Sequence, residues 1–212
     1  MKSIQLLSRV FIICTASFSF ALISCNNESD TATADKDTAP SISASTHDSV
    51  AHTMPPVDTA MVDHAEAVLT GTKTDTTVSG TVKFDKEASG KTKMTLELTV
   101  PMLASKSVAV HFHEHGDCGD MGKMAHGHWN PTNSQHGKWG SASFHSGDIG
   151  NIKLDSKGVG KITISSNLWT LGGTAASNVL GKSVIVHSGV DDYKTQPTGN
   201  SGSRIGCGVI SK

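Results

Sequence analysis

The chain has 212 residues, of which 18 are basic and 19 acidic, so its formal net charge is −1 with neutral histidines. This near balance gives no overall attraction for nucleic acid and excludes nonspecific nucleic-acid binding as the main function. The length suits one domain of about 150 residues with additional segments. An anionic substrate would need a local positive group.

Residues 1–24 have the features of a secretory signal peptide. Lys2 and Arg9 come first, and a mostly apolar run of 14 residues follows from Val10 to Ile23. That run is too short for a bilayer-spanning helix, which needs about 20 residues. A buried N-terminal helix is the alternative, but the next segment is polar. Since residues 1–24 carry two of the 18 basic residues and no acidic ones, 16 basic and 19 acidic residues remain after cleavage, a charge of about −3.

The segment Leu22-Ile23-Ser24-Cys25 resembles a bacterial lipobox, in which the cysteine is acylated and becomes the first mature residue. Two or three acyl chains on Cys25 would anchor the protein stably in a membrane. Asn26 is not the aspartate linked to inner-membrane retention in some bacteria. The sequence therefore predicts a lipoprotein of the cell envelope, on the outer membrane and facing the periplasm or the exterior.

Residues 26–65 have the composition of a disordered tether between the anchor and a folded domain at 66–212. Ser, Thr, Ala, Asp and Pro dominate, and such a segment buries too little apolar surface to offset its ordering entropy. It contains the metal-binding residue types His47, His52, Met54, Met61 and His64. We interpret these as exposed tether residues, with copper collection as the alternative.

From Ala65 onwards the sequence has the pattern of short β-strands. Apolar and polar residues alternate clearly over 94–100, for example. The strand candidates are 67–69, 78–84, 94–100, 107–113, 149–154, 160–165, 182–187 and 204–210. Eight short strands, Gly-rich turns and no long helical period predict an all-β fold, an antiparallel sandwich or barrel.

Residues 115–145 interrupt the strand pattern, and a loop this long in a compact domain is usually functional. Just before it, His111 and His113 flank Phe112 in a predicted strand. Alternation places both imidazoles on one face, about 6.5–7 Å apart along the strand. This spacing suits one metal ion, although most such pairs are surface residues.

Further residues with metal-binding side chains follow on the loop and at strand ends. They are His128, His136, His145, Asp148 and His187. Imidazole suits copper and zinc, and one carboxylate among several imidazoles suits zinc. Together with His111 and His113 these make seven ligands, which exceeds the four of one tetrahedral site. Two adjacent sites that share one ligand would use all seven.

Two motifs resemble those of the copper/zinc superoxide dismutases. His111-Phe112-His113-Glu114-x-Gly116-Asp117 resembles the first copper motif of that family, and residues 199–210, GNSGSRIGCGVI, resemble its C-terminal signature nearly without change. The resemblance covers residues 66–212 and points to a bacterial, lipoprotein-type member. It implies an eight-stranded antiparallel Greek-key β-barrel with long metal-binding and electrostatic loops.

The resemblance also implies a ligand set. Copper would be bound by His111, His113, His128 and His187. Zinc would be bound by His128, His136, His145 and Asp148. His128 would be the imidazolate shared by both metals and, with Arg204, a catalytic residue.

Three further positions match residues with known roles in the family. Arg204 would lie beside the copper and attract the superoxide anion; a buried arginine paired with a carboxylate is the alternative. Asp191 would link a copper ligand to a zinc ligand, unless it belongs only to a solvated turn. Cys118 would form a disulfide with Cys207, in keeping with an oxidising compartment.

Several other residues have two interpretations. His126, Met121 and Met124 are metal-binding residue types that we expect to face solvent, with transient copper capture as the alternative. Lys182 and Lys194 are expected to be solvated surface residues, with a contribution to a positive field as the alternative.

The implied reaction is the disproportionation of superoxide to oxygen and hydrogen peroxide, which would protect the cell envelope. Copper is needed because zinc has no redox chemistry. The alternative is a dismutase-like copper-binding or storage module without turnover, which should lack a ligand or the arginine. An adhesive β-sandwich would not need histidines at these spacings. The expected partners are the superoxide anion and, through Cys25, a membrane, with no nucleic acid; a homodimer is left open.

Overall fold

Eight β-strands account for most of the regular structure of residues 59–212, the part of the chain that this computed structural model describes. They are β1 (His64–Gly71), β2 (Ser79–Lys86), β3 (Thr92–Thr99), β4 (Ser107–His113), β5 (Gly150–Lys153), β6 (Val159–Ser166), β7 (Ser183–His187) and β8 (Arg204–Val209). Two short 3-10 helices cover Pro101–Leu103 and Asp120–Ala125. The predicted signal peptide, Cys25 and most of the predicted tether lie outside the described residues.

The strands form one antiparallel sheet in the order β5-β4-β7-β8-β1-β2-β3-β6. Its two end strands, β5 and β6, contact each other, so the sheet curves into a nearly closed barrel. β1, β2 and β3 form a meander, whereas β7 and β8 lie between β4 and β1 and create the Greek-key crossover. The predicted all-β, eight-stranded Greek-key barrel is confirmed.

The alternating sequence pattern determines which side chains fill the barrel. β1 and β3 bury every second residue, and large side chains from several strands meet inside. The rings of Phe84, Phe112 and Trp169 lie with centroids 5.4 to 6.3 Å apart. Aromatic rings bury much apolar area and pack favourably in tilted or edge-to-face pairs. This core holds β4 rigidly from its inner side.

β4 is buried on both faces, which positions the His-x-His pair. Val110 and Phe112 belong to the barrel core. His111 and His113 alternate with them and therefore point to the outer face, where the loop between β4 and β5 covers them. The outer face of this strand is thus enclosed rather than solvent-exposed.

The described end of the predicted tether lies against the barrel. Val62 N–H donates a hydrogen bond to Leu171 O, and Gly173 N–H donates one to Thr59 O, each 2.9 Å long. β1 begins at His64, before the expected domain start at residue 66. Between residues 59 and 212, no helix is long and apolar enough to cross a membrane.

Candidate metal centre

A disulfide between Cys118 and Cys207 fastens the loop after β4 to strand β8. The two cysteines are 89 residues apart in sequence and their Cα atoms are 5.8 Å apart. In the chain-entropy model, a closed loop of this length is worth roughly 4–5 kcal/mol. The structure thus contains the bond that the resemblance implied, and the bond fixes one end of the loop that covers His111 and His113.

The first side-chain cluster contains four imidazoles. They belong to His111 and His113 on β4, His128 in the loop and His187 at the end of β7. All four are buried, and one nitrogen of each lies within 4.8 Å of the others. In His111 the nitrogen without a hydrogen-bond partner is Nδ1, and in the other three rings it is Nε2. Because buried polar atoms are nearly always paired, four converging nitrogens without a hydrogen bond are the arrangement expected of a cation site.

The second cluster contains His128, His136, His145 and Asp148, again with ligand atoms within 4.8 Å of one another. Asp148 Oδ1 lies 2.9 Å from His128 Nδ1, and Asp148 Oδ2 lies 2.9 Å from His136 Nδ1. His145 Nδ1 lies 3.2 Å from Asp148 Oδ1, and neither this nitrogen nor His136 Nδ1 has the geometry of a hydrogen bond to the carboxylate. Three imidazoles and one carboxylate form a donor set typical of zinc.

His128 belongs to both clusters, because its two ring nitrogens face in opposite directions. Nδ1 contacts Asp148, whereas Nε2 is buried, unpaired and directed at the first cluster. Its ring centroid lies 4.0 Å from that of His111 and 5.4 Å from that of His136. One imidazole therefore connects the two candidate sites.

Asp191 accepts hydrogen bonds from one ring of each cluster. His111 Nε2–H donates to Oδ2 at 3.0 Å, and His136 Nε2–H donates to Oδ1 at 2.9 Å. Asn151 holds Asp191 in place, since its side chain bonds both the N–H and the C=O of that residue. Gly199 is required here, because a Cβ at its φ of +68° would lie 1.9 Å from Asp191 Oδ1.

Backbone carbonyls fix the other rings. His113 Nδ1–H donates to His126 O at 2.8 Å, and His145 Nε2–H donates to Ser134 O at 3.1 Å. Such contacts select the tautomer and direct the remaining nitrogen towards a metal. Each ring of both clusters thus presents a defined nitrogen to the cluster interior.

The charge distribution also suits cations. Burial lowers the pKa values of His111, His113 and His187, so these rings are neutral ligands near neutral pH. Burial likewise lowers the pKa of His128 to about 4, against the opposing effect of Asp148. The pKa of Asp148 is far below its usual value, because contacts with three histidines outweigh its burial.

His136 behaves differently from the other rings. Burial alone would lower its pKa, but the carboxylates of Asp148 and Asp191 flank its two nitrogens and raise the pKa to about 9. Without a metal, His136 therefore carries a proton near neutral pH. Gln196 positions the same residue by bonding both its backbone N–H and its C=O.

Arg204 begins β8 and is partly buried. Its guanidinium donates hydrogen bonds to the carbonyl oxygens of Gly122 and His126, and no carboxylate of residues 59–212 forms an ion pair with it. Arg204 pairs with His187 across β7 and β8, and its guanidinium shares the acceptor His126 O with His113 Nδ1–H, so it lies near the first cluster. The alternative of a carboxylate-paired arginine is not observed.

Most of the remaining candidates lie at the surface, whereas Lys182 is half-buried. Met121, Met124 and His126 are exposed, as is Lys194. Lys182 donates a hydrogen bond to Glu114 O at 3.0 Å. Sequence reasoning did not assign roles to Asn151, Gln196 or Gly199, because single polar or glycine residues in loops carry no periodic signal.

Comparisons with known proteins identify the family of this chain. The profile of the family described as copper/zinc superoxide dismutase matches residues 78–210. The extracellular Cu-Zn superoxide dismutase of Caenorhabditis elegans is 35% identical over 144 residues, which cover 65% of this chain and 63% of that protein. A Cu-Zn superoxide dismutase of Aquifex aeolicus is 34% identical over 49% of this chain and 63% of its own length. This chain thus spans less than two thirds of these two relatives.

Two other matches extend over nearly the whole relative. The Cu-Zn superoxide dismutase of Podospora anserina is 37% identical over 153 residues, covering 69% of this chain and 96% of that protein. The crystal structure of the clock protein EA4 superposes with a TM-score of 0.62 at 30% identity, covering 72% of this chain and 96% of EA4. The chain therefore belongs to the copper/zinc superoxide dismutase family.

Proposed function

We propose that this chain disproportionates superoxide at a copper site bridged to a zinc site, and that it protects the cell envelope. The observation that carries the proposal is the pair of buried clusters that share His128. Six unpaired imidazole nitrogens converge within them, and the donor types fit these two metals. Two superoxide ions and two protons give one oxygen and one hydrogen peroxide.

The first cluster would hold copper and the second zinc. Four neutral imidazoles, those of His111, His113, His128 and His187, suit copper. His136, His145 and Asp148, together with the shared His128, suit zinc. When bound, copper supplies the one-electron oxidation and reduction that the reaction needs, and zinc supplies fixed charge without redox chemistry.

Arg204 would bind and orient the anionic substrate. With residues 1–24 removed the chain retains 16 basic and 19 acidic residues, so its average field repels an anion. Two backbone carbonyls hold the guanidinium without neutralising it. The site therefore has a local positive charge in a fixed position beside the first cluster.

His128 would handle a proton at Nε2. That nitrogen faces the first cluster, whereas Nδ1 contacts Asp148 and keeps the ring in place. Burial lowers the pKa of His128 to about 4 in the metal-free protein, so the ring is neutral near neutral pH and Nε2 has a free lone pair. A neutral nitrogen that faces the first cluster could accept a proton and pass it to a peroxide product.

Metal analysis combined with a superoxide-scavenging assay tests the proposal directly. Residues 26–212, loaded with both metals, should bind one copper and one zinc per chain and consume superoxide. Chelation of copper should abolish scavenging, and its return should restore it. Stoichiometric metal binding without scavenging would instead identify a copper-storage module.

Zinc binding to the metal-free protein should release about one proton at pH 7.5. The pKa of His136 is raised to about 9, so the ring is protonated at pH 7.5. Zinc must then displace the proton from Nδ1. Proton release should therefore disappear, and the apparent zinc affinity should level off, as the pH rises through about 9. Calorimetry in buffers with different ionisation enthalpies measures the release. A proton count independent of pH between 7 and 10 would contradict this assignment.

We also propose that lipid on Cys25 anchors the domain to a membrane through the segment that precedes residue 59. The support is the lipobox-like sequence that ends at Cys25. Cys25→Ser should move the protein from the membrane fraction to the soluble fraction or block its processing. Unchanged membrane association with no acyl mass on Cys25 would exclude the anchor. Cys14→Ser is the matched control and should leave membrane association unchanged.

A further inference from the structure

A third group of metal-binding side chains lies on the surface, separate from the two buried clusters. Glu114, His115 and His126 each offer a ligand atom, and these atoms lie within 4.8 Å of one another. Two short backbone segments bring them together: Glu114 N–H donates to Gly127 O at 3.1 Å, and His115 N–H donates to Ala125 O at 3.2 Å.

The two imidazoles of this group are adjacent and have free nitrogens. The ring centroids of His115 and His126 are 4.3 Å apart. Within residues 59–212, neither ring makes a hydrogen bond through its nitrogens, in contrast to the rings of the buried clusters. The Glu114 carboxylate completes a set of two nitrogens and one oxygen.

The backbone at His126 provides an independent reason to ask what its side chain does. This residue has φ of 62° and ψ of −142°, a region that glycine enters freely and other residues enter only with strain. Glycine would make the same turn without that strain. A histidine here keeps an exposed imidazole next to His115, although the backbone conformation disfavours any side chain.

We propose that Glu114, His115 and His126 form a third metal site, which binds a divalent transition-metal ion, Cu²⁺ most strongly. Imidazole and carboxylate ligands suit such ions, and the Irving–Williams order places Cu²⁺ above Zn²⁺ and Ni²⁺. Three protein donors leave positions open for water, so exchange with solvent is fast. This site does not depend on the proposed catalytic function.

The position of the site links it to the first cluster. His126 O accepts hydrogen bonds from His113 Nδ1–H and from the Arg204 guanidinium. An ion that joins His115 to His126 therefore restrains the turn whose carbonyl orients both residues. Its occupancy is expected to raise the thermal stability of the holoenzyme by mass action.

The test uses residues 26–212, which lack the lipid-bearing Cys25, already loaded with one copper and one zinc. Addition of Cu²⁺ should give one further bound ion, with an electron paramagnetic resonance difference spectrum showing two nitrogen ligands. His126→Gly should lower the affinity for this ion at least about tenfold, since even partners behind a ligand change metal affinity by 10–100-fold. That variant suits the local backbone, and it keeps the carbonyl that bonds His113.

Three further variants decide the interpretation. His115→Gln should weaken the third ion to a similar extent, and it serves as the deciding variant if His126→Gly loses buried metal. His64→Ala is the matched control and should leave the affinity for the third ion unchanged. His64 is also an exposed histidine beside a carboxylate, with Nδ1 2.8 Å from Asp85 Oδ1. Unchanged binding in both His126→Gly and His115→Gln would overturn the proposal. Loss of the ion in His47→Ala/His52→Ala alone would overturn it in favour of the tether.

Discussion

His128→Ala should disturb both metals at once and reduce superoxide turnover at least about 10²-fold, the lower end of the range for losing a general acid–base group. The reason is the position of this ring, whose Nε2 faces the first cluster and whose Nδ1 contacts Asp148 in the second. Removal leaves each site with three protein ligands. Metal analysis, the copper absorption spectrum and turnover measure the effect.

Two single-site variants provide the matched controls. His187→Ala removes a ring that belongs only to the first cluster, and His145→Ala removes one that belongs only to the second. His187→Ala should lower copper binding and largely retain zinc. His145→Ala should lower zinc binding and largely retain copper. If His128→Ala kept normal copper and zinc environments, the shared-ligand assignment would be wrong.

Arg204→Glu should keep both metals but reduce the second-order rate with superoxide at least about tenfold, within the range of 10 to 10³ for electrostatic steering. The substitution reverses the sign of a group that lies near His113 and His187 but ligates nothing. The wild-type rate should fall with ionic strength more steeply than the rate of the variant, because salt screens an attraction that the variant has lost.

Lys194→Glu is the matched control for charge, because Lys194 is exposed and the substitution changes the net charge equally. It should have a much smaller effect on the rate. Arg204→Lys should recover part of the steering while losing the paired contacts to Gly122 O and His126 O. Full activity of Arg204→Glu with unchanged salt dependence would remove Arg204 from the mechanism.

Local patterns were sufficient to predict the strands. Alternation over 94–100 corresponds to β3 at Thr92–Thr99, since a half-buried strand repeats every two residues. The predicted strand 107–113 corresponds to β4 at Ser107–His113, which is buried on both faces. Both ends of β4 were predicted to the residue, and the other boundaries differed by at most three residues, most at β1, which begins at His64 rather than near Ala67. The Greek-key arrangement of the strands was implied by the family resemblance, because periodicity does not specify which strands pair.

From composition and spacing alone, the candidate site was predictable only in its ligand types, whereas its division into two sets that share His128 came from the family resemblance. Seven side chains with metal affinity stand out by composition, but their contacts join residues far apart in sequence. Gln196 holds His136 from 60 positions away, and Asn151 holds Asp191 from 40. The group formed by His115 and His126 was likewise hidden, since it depends on a turn with a conformation that the sequence does not favour.

Asp191 has a thermodynamic consequence for assembly. Its two carboxylate oxygens accept hydrogen bonds from His111 and His136, one ring from each cluster. An ion that fixes either ring also fixes the Asp191 carboxylate, and the carboxylate in turn fixes the other ring. The first ion therefore orders part of the site that the second ion would otherwise have to order. Such coupling is reciprocal: copper must favour zinc entry by the same factor as zinc favours copper entry. The two metals are therefore expected to load cooperatively, and a cell short of either one should also show lower occupancy of the other site.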